Sequence, residues 1–112
     1  MDRRILITGA AGYLGSLLGS RLCADYHVLG TDIRSRNDLP FPVTTLDVRD
    51  PALAELLQRE RITHVVHLAS VLDAGADRAR DYDIDVNGTR NVVESCLRAG
   101  VRHLTVTSSG AA

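Results

Sequence analysis

Thr8-Gly9-Ala10-Ala11-Gly12-Tyr13-Leu14-Gly15 is the stretch that decides the fold. Directly before it, Arg4-Ile5-Leu6-Ile7-Thr8 is short and apolar on both faces, as a strand covered from both sides must be. Directly after it, Leu14, Leu17, Leu18 and Leu22 recur at helical spacing. A glycine loop between a strand and a helix has one characteristic physical use. It brings backbone N–H groups onto a diphosphate at the positive end of the helix. Gly9 permits the tight turn off the strand, Gly12 removes a Cβ that would block the phosphates, and Gly15 lets the helix pack closely on the sheet. The spacing is G-x-x-G-x-x-G, a departure by one residue from G-x-G-x-x-G.

Working outward, apolar runs alternate with helical patterns. His27-Val28-Leu29-Gly30-Thr31-Asp32 reads as a second strand ending in an acid, and Val43-Thr44-Thr45-Leu46-Asp47 as a third. Asp50-Pro51 is a helix start, with Leu53, Leu56 and Leu57 as the buried stripe behind it. Residues 63–69 form a fourth strand. A long helix over 82–99 is expected to bury Tyr82, Val86, Val93 and Leu97 and to end at Gly100 in a left-handed cap. Residues 102–107 make a fifth strand. This alternation predicts an α/β fold in one domain over residues 1–112: a Rossmann-type, doubly wound parallel sheet of order 3-2-1-4-5. Such sheets bind ligands beyond the carboxyl ends of the strands, at the switch point between strands 1 and 4. Thr8, Asp32, Asp47, Ser70 and Ser108 fall at that rim, whereas His27, His64 and His103 fall at strand starts on the opposite one.

Composition removes several alternatives. The 112 residues carry 45% hydrophobic residues and a formal net charge of −1. All thirteen basic residues are arginine, so chemistry that needs a lysine, such as a Schiff base or a Walker A phosphate loop, is not completed here. Charges of both signs are interleaved and aromatics are 4%, which gives no footprint for nucleic acid. No apolar run approaches the ~20 residues that span a bilayer. Cys23 and Cys96 lie within helical patterns without metal or redox spacing, which fits small buried thiols in a reducing, cytoplasmic setting. The charged cluster Asp73, Asp77, Arg78, Arg80, Asp81 and Asp83 reads as a solvated face rather than a metal site. His67, inside an apolar strand, reads as a core or supporting residue rather than an acid or base.

Asp32 stands seventeen positions beyond Gly15, at the tip of the second strand. A carboxylate there accepts from the adenosine ribose hydroxyls of a dinucleotide and repels a 2′-phosphate. Arg34 and Arg36 pull the other way, since a guanidinium fork suits a 2′-phosphate. The balance favours NAD, with NADP possible.

The ordered set TGAAGYLG at 8–15, Asp32, Asp47-Val48, His67-Leu68-Ala69-Ser70, Asp85-Val86-Asn87-Gly88-Thr89 and Val106-Thr107-Ser108-Ser109 resembles the N-terminal part of an extended short-chain dehydrogenase/reductase, in the NAD-dependent epimerase/dehydratase family. The resemblance covers the whole chain. It implies that backbone N–H groups of Tyr13 and Leu14 meet the diphosphate. Asp47 would accept from the adenine amino group, with Val48 beside the ring. Leu68, Ala69 and Ser70 would line the ribose and phosphate path, and Asn87 would brace the fourth strand. Thr107 and Ser108 would face the nicotinamide side. Ser109, or alternatively Ser108, would bind the substrate hydroxyl.

In this family a tyrosinate takes the substrate proton while nicotinamide C4 takes the hydride, and a lysine four residues on lowers the tyrosine pKa. Tyr13, Tyr26 and Tyr82 are followed at that distance by Leu17, Gly30 and Val86. The resemblance therefore implies the cofactor half of an epimerase, dehydratase or reductase acting on a sugar nucleotide or a like hydroxyl or ketone substrate. These 112 residues alone are expected to be inactive. A non-catalytic dinucleotide-sensing module is the alternative. Strand 5 would leave an open edge that favours self-association, and the long helix is implied in a homo-oligomer contact.

Overall fold

The computed structural model describes residues 3–68 and 83–107. Ile5, Leu6 and Ile7 in β1 (Arg4–Thr8) are all buried, yet they serve two different cores because successive strand side chains point to opposite faces. Leu6 joins Leu29, Val65, Leu53, Leu57, Val92 and Cys96 on one face. Ile5 and Ile7 join Val28, Ala10 and Phe41 on the other, with Leu18 and Leu22 packed against them. Two apolar faces on one sheet are what a doubly wound architecture requires.

The other strands are β2 (His27–Asp32), β3 (Val43–Thr45), β4 (His64–His67) and β5 (His103–Val106). All pair in parallel, in the order β3-β2-β1-β4-β5. Thr8 stands opposite both Thr31 and His67, so one row of side chains crosses three strands at the rim where β1 ends. Helix α1 (Tyr13–Leu22) covers one face, and α2 (Ala52–Arg59) with α3 (Gly88–Ala99) covers the other.

Asp50 caps α2 as its sequence indicates: Oδ1 accepts from the Ala52 N–H at 2.9 Å, next to Pro51 at φ −63°. Gly100 closes α3 at φ 74°, ψ 28°. Cys96 is buried against α2, which pushes its thiol up to about 11, and Cys23 is half-buried at the end of α1.

Three expectations need correction. In α1 the buried positions are Gly15 and Gly19, while Leu14 and Leu17 are exposed. Leu18 and Leu22 do pack inward. The helix approaches so closely that a Cβ on Gly19 would stand 2.4 Å from the Phe41 ring. Glycine marks the contact face, and hydropathy gives glycine no weight. The long helix is also phased differently. A π-helical turn at Asp83–Asn87 precedes α3, and the inward stripe is Ile84, Gly88, Val92, Ser95 and Cys96. Val86, Val93 and Leu97, expected inside, are exposed, and Tyr82 lies outside the described residues. Small residues again form the seam: a Cβ on Gly88 would meet Val48 Cγ2 at 2.7 Å. The third, fourth and fifth strands are shorter than expected, because pairing stops before Leu46, at His67 and at Val106.

Candidate functional site: a glycine cradle closed by a buried carboxylate

At the rim where β1 ends, the chain turns at Gly9, whose φ of 72° lies in the left-handed region that glycine enters without strain. The turn folds back far enough that a Cβ on Gly15 would lie 2.2 Å from the Gly9 carbonyl oxygen and 2.8 Å from Ala10 Cα. No side chain fits there. The first helical turn is thereby pressed against the end of β1.

The hydrogen-bond donors of this loop divide into two groups. Ala10 N–H donates to the Thr31 carbonyl at 3.1 Å, Ala11 N–H to Asp32 Oδ2 at 3.0 Å, and Gly12 N–H to the Gly9 carbonyl at 3.1 Å. These three hold the loop. The N–H groups of Tyr13, Leu14 and Gly15 meet no acceptor among the described residues. Helix α1 has neither a capping side chain at Gly12 nor an acid in its first turn. Three free donors at an uncapped positive helix end, in a loop without a Cβ at positions 9, 12 and 15, fit a diphosphate.

Asp32 is buried and joins this loop to the tip of β2. Besides the Ala11 contact, its Oδ1 accepts from the Arg34 N–H at 2.9 Å, with Arg34 Nε at 3.4 Å. Arg36 secures the other side, donating to the Ala11 carbonyl at 3.1 Å while pairing with Asp38 at 2.7 Å. That pair raises the Arg36 pKa and lowers that of Asp38.

Asp47 sits just beyond β3, where Arg49 clasps it through Nε at 3.0 Å and a second guanidinium nitrogen at 2.7 Å. Arg49 also reaches Asp83 at 2.6 Å. This clamp holds the Asp47 carboxyl below its usual range. The Asp83 carboxyl is lowered first by Asn87 and then by Arg49. Val48, expected beside a ring, instead spends its side chain in the core beneath Gly88. Its short apolar side chain is what the close approach of α3 demands.

Asn87 is exposed and donates to Asp83, so among the described residues it does not brace β4. The π-helical turn carries it one residue out of phase with α3. Thr89, quoted in the sequence only as part of its helix motif, braces β4, and Asn91, which the sequence did not single out, braces the segment after β3. Asn91 Nδ2 donates to the Val48 and Asp50 carbonyls at 2.8 and 2.9 Å. Thr89 Oγ1 lies 3.0 Å from His67 Nε2, whose other nitrogen lies 2.7 Å from Thr8 Oγ1. Leu68 N–H donates to the same Thr8 oxygen at 2.9 Å. His67 thus ties β1, β4 and α3 together at the rim. Burial pushes its pKa down, with Asp85 opposing, so its resting form is the neutral ring. The signal for both braces was a polar residue on the small-residue seam of α3.

Leu68 is half-buried toward α1. Thr107 hydrogen-bonds to the His67 carbonyl through its N–H at 3.3 Å and its hydroxyl at 3.4 Å, which leaves it at the same rim. Ala69, Ser70, Ser108 and Ser109 lie outside the described residues, as do Asp73, Asp77, Arg78, Arg80 and Asp81. His27, His64 and His103 stand at strand starts on the far rim, where His64 and His103 stack at 4.8 Å.

Comparison with known proteins follows the same lines. The profile of the NAD dependent epimerase/dehydratase family matches residues 5–112. UDP-glucose 4-epimerase of Mycolicibacterium smegmatis is 37% identical over 96% of this chain and 39% of its own length. The L-arabinose 1-dehydrogenase (NAD(P)(+)) of Haloferax volcanii is 36% identical over 95% of this chain and 41% of its own. The Bordetella bronchiseptica enzyme WbmG, solved with NAD and UDP, superposes with a TM-score of 0.83 at 30% identity, covering 95% of this chain and 37% of that one. The chain therefore spans about two fifths of the length of the relatives it matches. No described helix is long and apolar enough to cross a membrane.

Proposed function

This chain belongs to the NAD-dependent epimerase/dehydratase family, and from that premise we propose that it is the dinucleotide-binding part of an oxidoreductase or epimerase acting on a sugar nucleotide or a similar hydroxyl or ketone substrate. One observation carries this reading: the N–H groups of Tyr13, Leu14 and Gly15, which meet no acceptor among the described residues, stand at a turn that needs glycine at Gly9 and Gly15, beside a buried carboxylate.

Each residue then has a physical task. The three N–H groups donate to the diphosphate at the start of α1. Asp32 accepts from an adenosine ribose hydroxyl with the lone pair its three present donors leave over. Asp47, held ionised by Arg49, accepts from the adenine amino group, with the backbone at Val48 as the floor. Leu68, Ala69 and Ser70 follow the ribose and phosphates. Thr107 and Ser108 face the nicotinamide side, and Ser109, or Ser108, orients the substrate hydroxyl. His67 and Thr89 keep β1 and β4 at fixed spacing so that these groups converge. The bound dinucleotide supplies a hydride acceptor and donor. These 112 residues hold no Tyr-x-x-x-Lys pair, so the proton transfer is not among their own tasks. If the intact protein lacks that pair, the same site serves as a dinucleotide sensor.

The cofactor of the family is NAD. The relative named for both NAD and NADP leaves the choice at this site to its own residues. The test is NADH titration of the intact protein, followed by fluorescence. Asp32→Ala is expected to weaken binding roughly tenfold or more, the worth of a hydrogen bond to a charged group. Unchanged affinity in that variant sinks the assignment of the adenosine end.

A further inference from the structure

We propose that Arg34 adapts the adenosine end of this site to a 2′-phosphate, so that the protein takes NADP as well as NAD; this rests on the dinucleotide reading above. A carboxylate at the tip of the second strand usually discriminates against NADP in two ways. It uses its lone pairs on the ribose hydroxyls, and its charge repels the phosphate.

Both effects are blunted here. Three donors already occupy Asp32: the Ala11 N–H on Oδ2, and the Arg34 N–H and Nε on Oδ1. A carboxylate offers about four acceptor sites, so one remains for a ribose hydroxyl rather than the two needed to hold the unmodified diol. Its charge is also paired, because the Arg34 guanidinium lies at 3.4 Å. The four charged groups at this corner, Asp32, Arg34, Arg36 and Asp38, sum to zero, so an incoming dianion meets no net repulsion.

Arg34 is the group placed to receive that dianion. Only its Nε faces Asp32. Its two terminal nitrogens have no acceptor among the described residues, and its side chain is 65% exposed. One of them lies 3.4 Å from where a Gly12 Cβ would stand, so the guanidinium arches over the glycine cradle instead of trailing into solvent. Arg36 cannot take this role. Its guanidinium is spent on both Asp38 oxygens and on the Ala11 carbonyl. The arrangement leaves one anchored arginine with its phosphate-binding fork free, next to the ribose acceptor.

The experiment measures dissociation constants of NADH and NADPH with the intact protein, at two salt concentrations, for the wild type, Arg34→Ala and Arg34→Lys. The wild type is expected to bind the two within about tenfold of each other, with NADPH the more salt-sensitive. Arg34→Ala should raise the NADPH-to-NADH ratio of dissociation constants roughly tenfold or more, and Arg34→Lys should recover part of that loss. Wild-type binding of NADH with NADPH weaker by a hundredfold overturns the proposal and leaves the dinucleotide site standing. So does an Arg34→Ala variant that loses both cofactors equally, because Arg34 then serves the diphosphate. Binding of neither cofactor overturns the site itself.

Discussion

Replacing Gly15 with alanine tests the physical basis of the cradle most directly. The added methyl would lie 2.2 Å from the Gly9 carbonyl oxygen, 2.8 Å from Ala10 Cα and 2.9 Å from the Gly9 carbonyl carbon. All three are backbone atoms, and none can swing aside as a side chain would. Ordinary contact begins near 3.4 Å, so α1 has to retreat from the end of β1 by about 1 Å. Alanine gains about 1 kcal/mol over glycine inside a helix. Against this, overpacking at a rigid contact costs typically 1–3 kcal/mol, and here the collision is deeper than one extra methylene in a yielding core. The net expectation is a loss of about 1–2 kcal/mol in urea unfolding. NADH affinity should fall with it, because the same retreat lifts the Tyr13 and Leu14 donors off the phosphates. Gly100→Ala is the matched control. Its Cβ meets nothing within 4 Å, so its cost comes from the positive φ alone and it leaves cofactor binding untouched. A Gly15→Ala protein as stable as the wild type would refute the claim that this glycine sets the distance between helix and strand.

Two further outcomes follow from the buried polar row. Burial lowers the His67 pKa below its unfolded value near 6.5, so the unfolded chain takes up a proton first as pH falls. Stability attributable to this histidine is complete above about pH 6.5 and declines below it, by at most ~1.4 kcal/mol per pH unit. His64 is shifted the same way, by burial and then by His103, Arg3 and Arg102, so the His67 share is read as the difference between wild type and His67→Gln in urea midpoints from pH 8 to pH 5. Identical slopes in the two proteins would contradict it. Thr31, opposite Thr8 in the strand register, has a buried hydroxyl with no hydrogen-bond partner among the described residues. Thr31→Val removes that unsatisfied group with little change of shape and should raise stability by about 1 kcal/mol in the same assay; a loss of stability would show that the hydroxyl has a use.

What could be read in the amino acids was whatever depends on neighbours in the chain. The strand, glycine turn and helix at residues 4–22 were legible because Gly9, Gly12 and Gly15 answer to local demands of turn and approach. The strand order was legible too, because two-sided apolar strands alternating with helices leave few ways to cover a sheet. Tertiary structure decided which helical faces turn inward. At Gly19 and Gly88 the contact face is chosen by how near the helix backbone comes to a core side chain, the Phe41 ring or Val48, a quantity that hydropathy does not measure. It also decided the partners of the polar groups. Asp32 meets Ala11 across 21 residues, Asn91 reaches Val48 and Asp50 across more than 40, and His67 bridges Thr8 and Thr89. Each of those bonds forms only after the sheet has brought distant segments to one rim, so no spacing in the chain announces it.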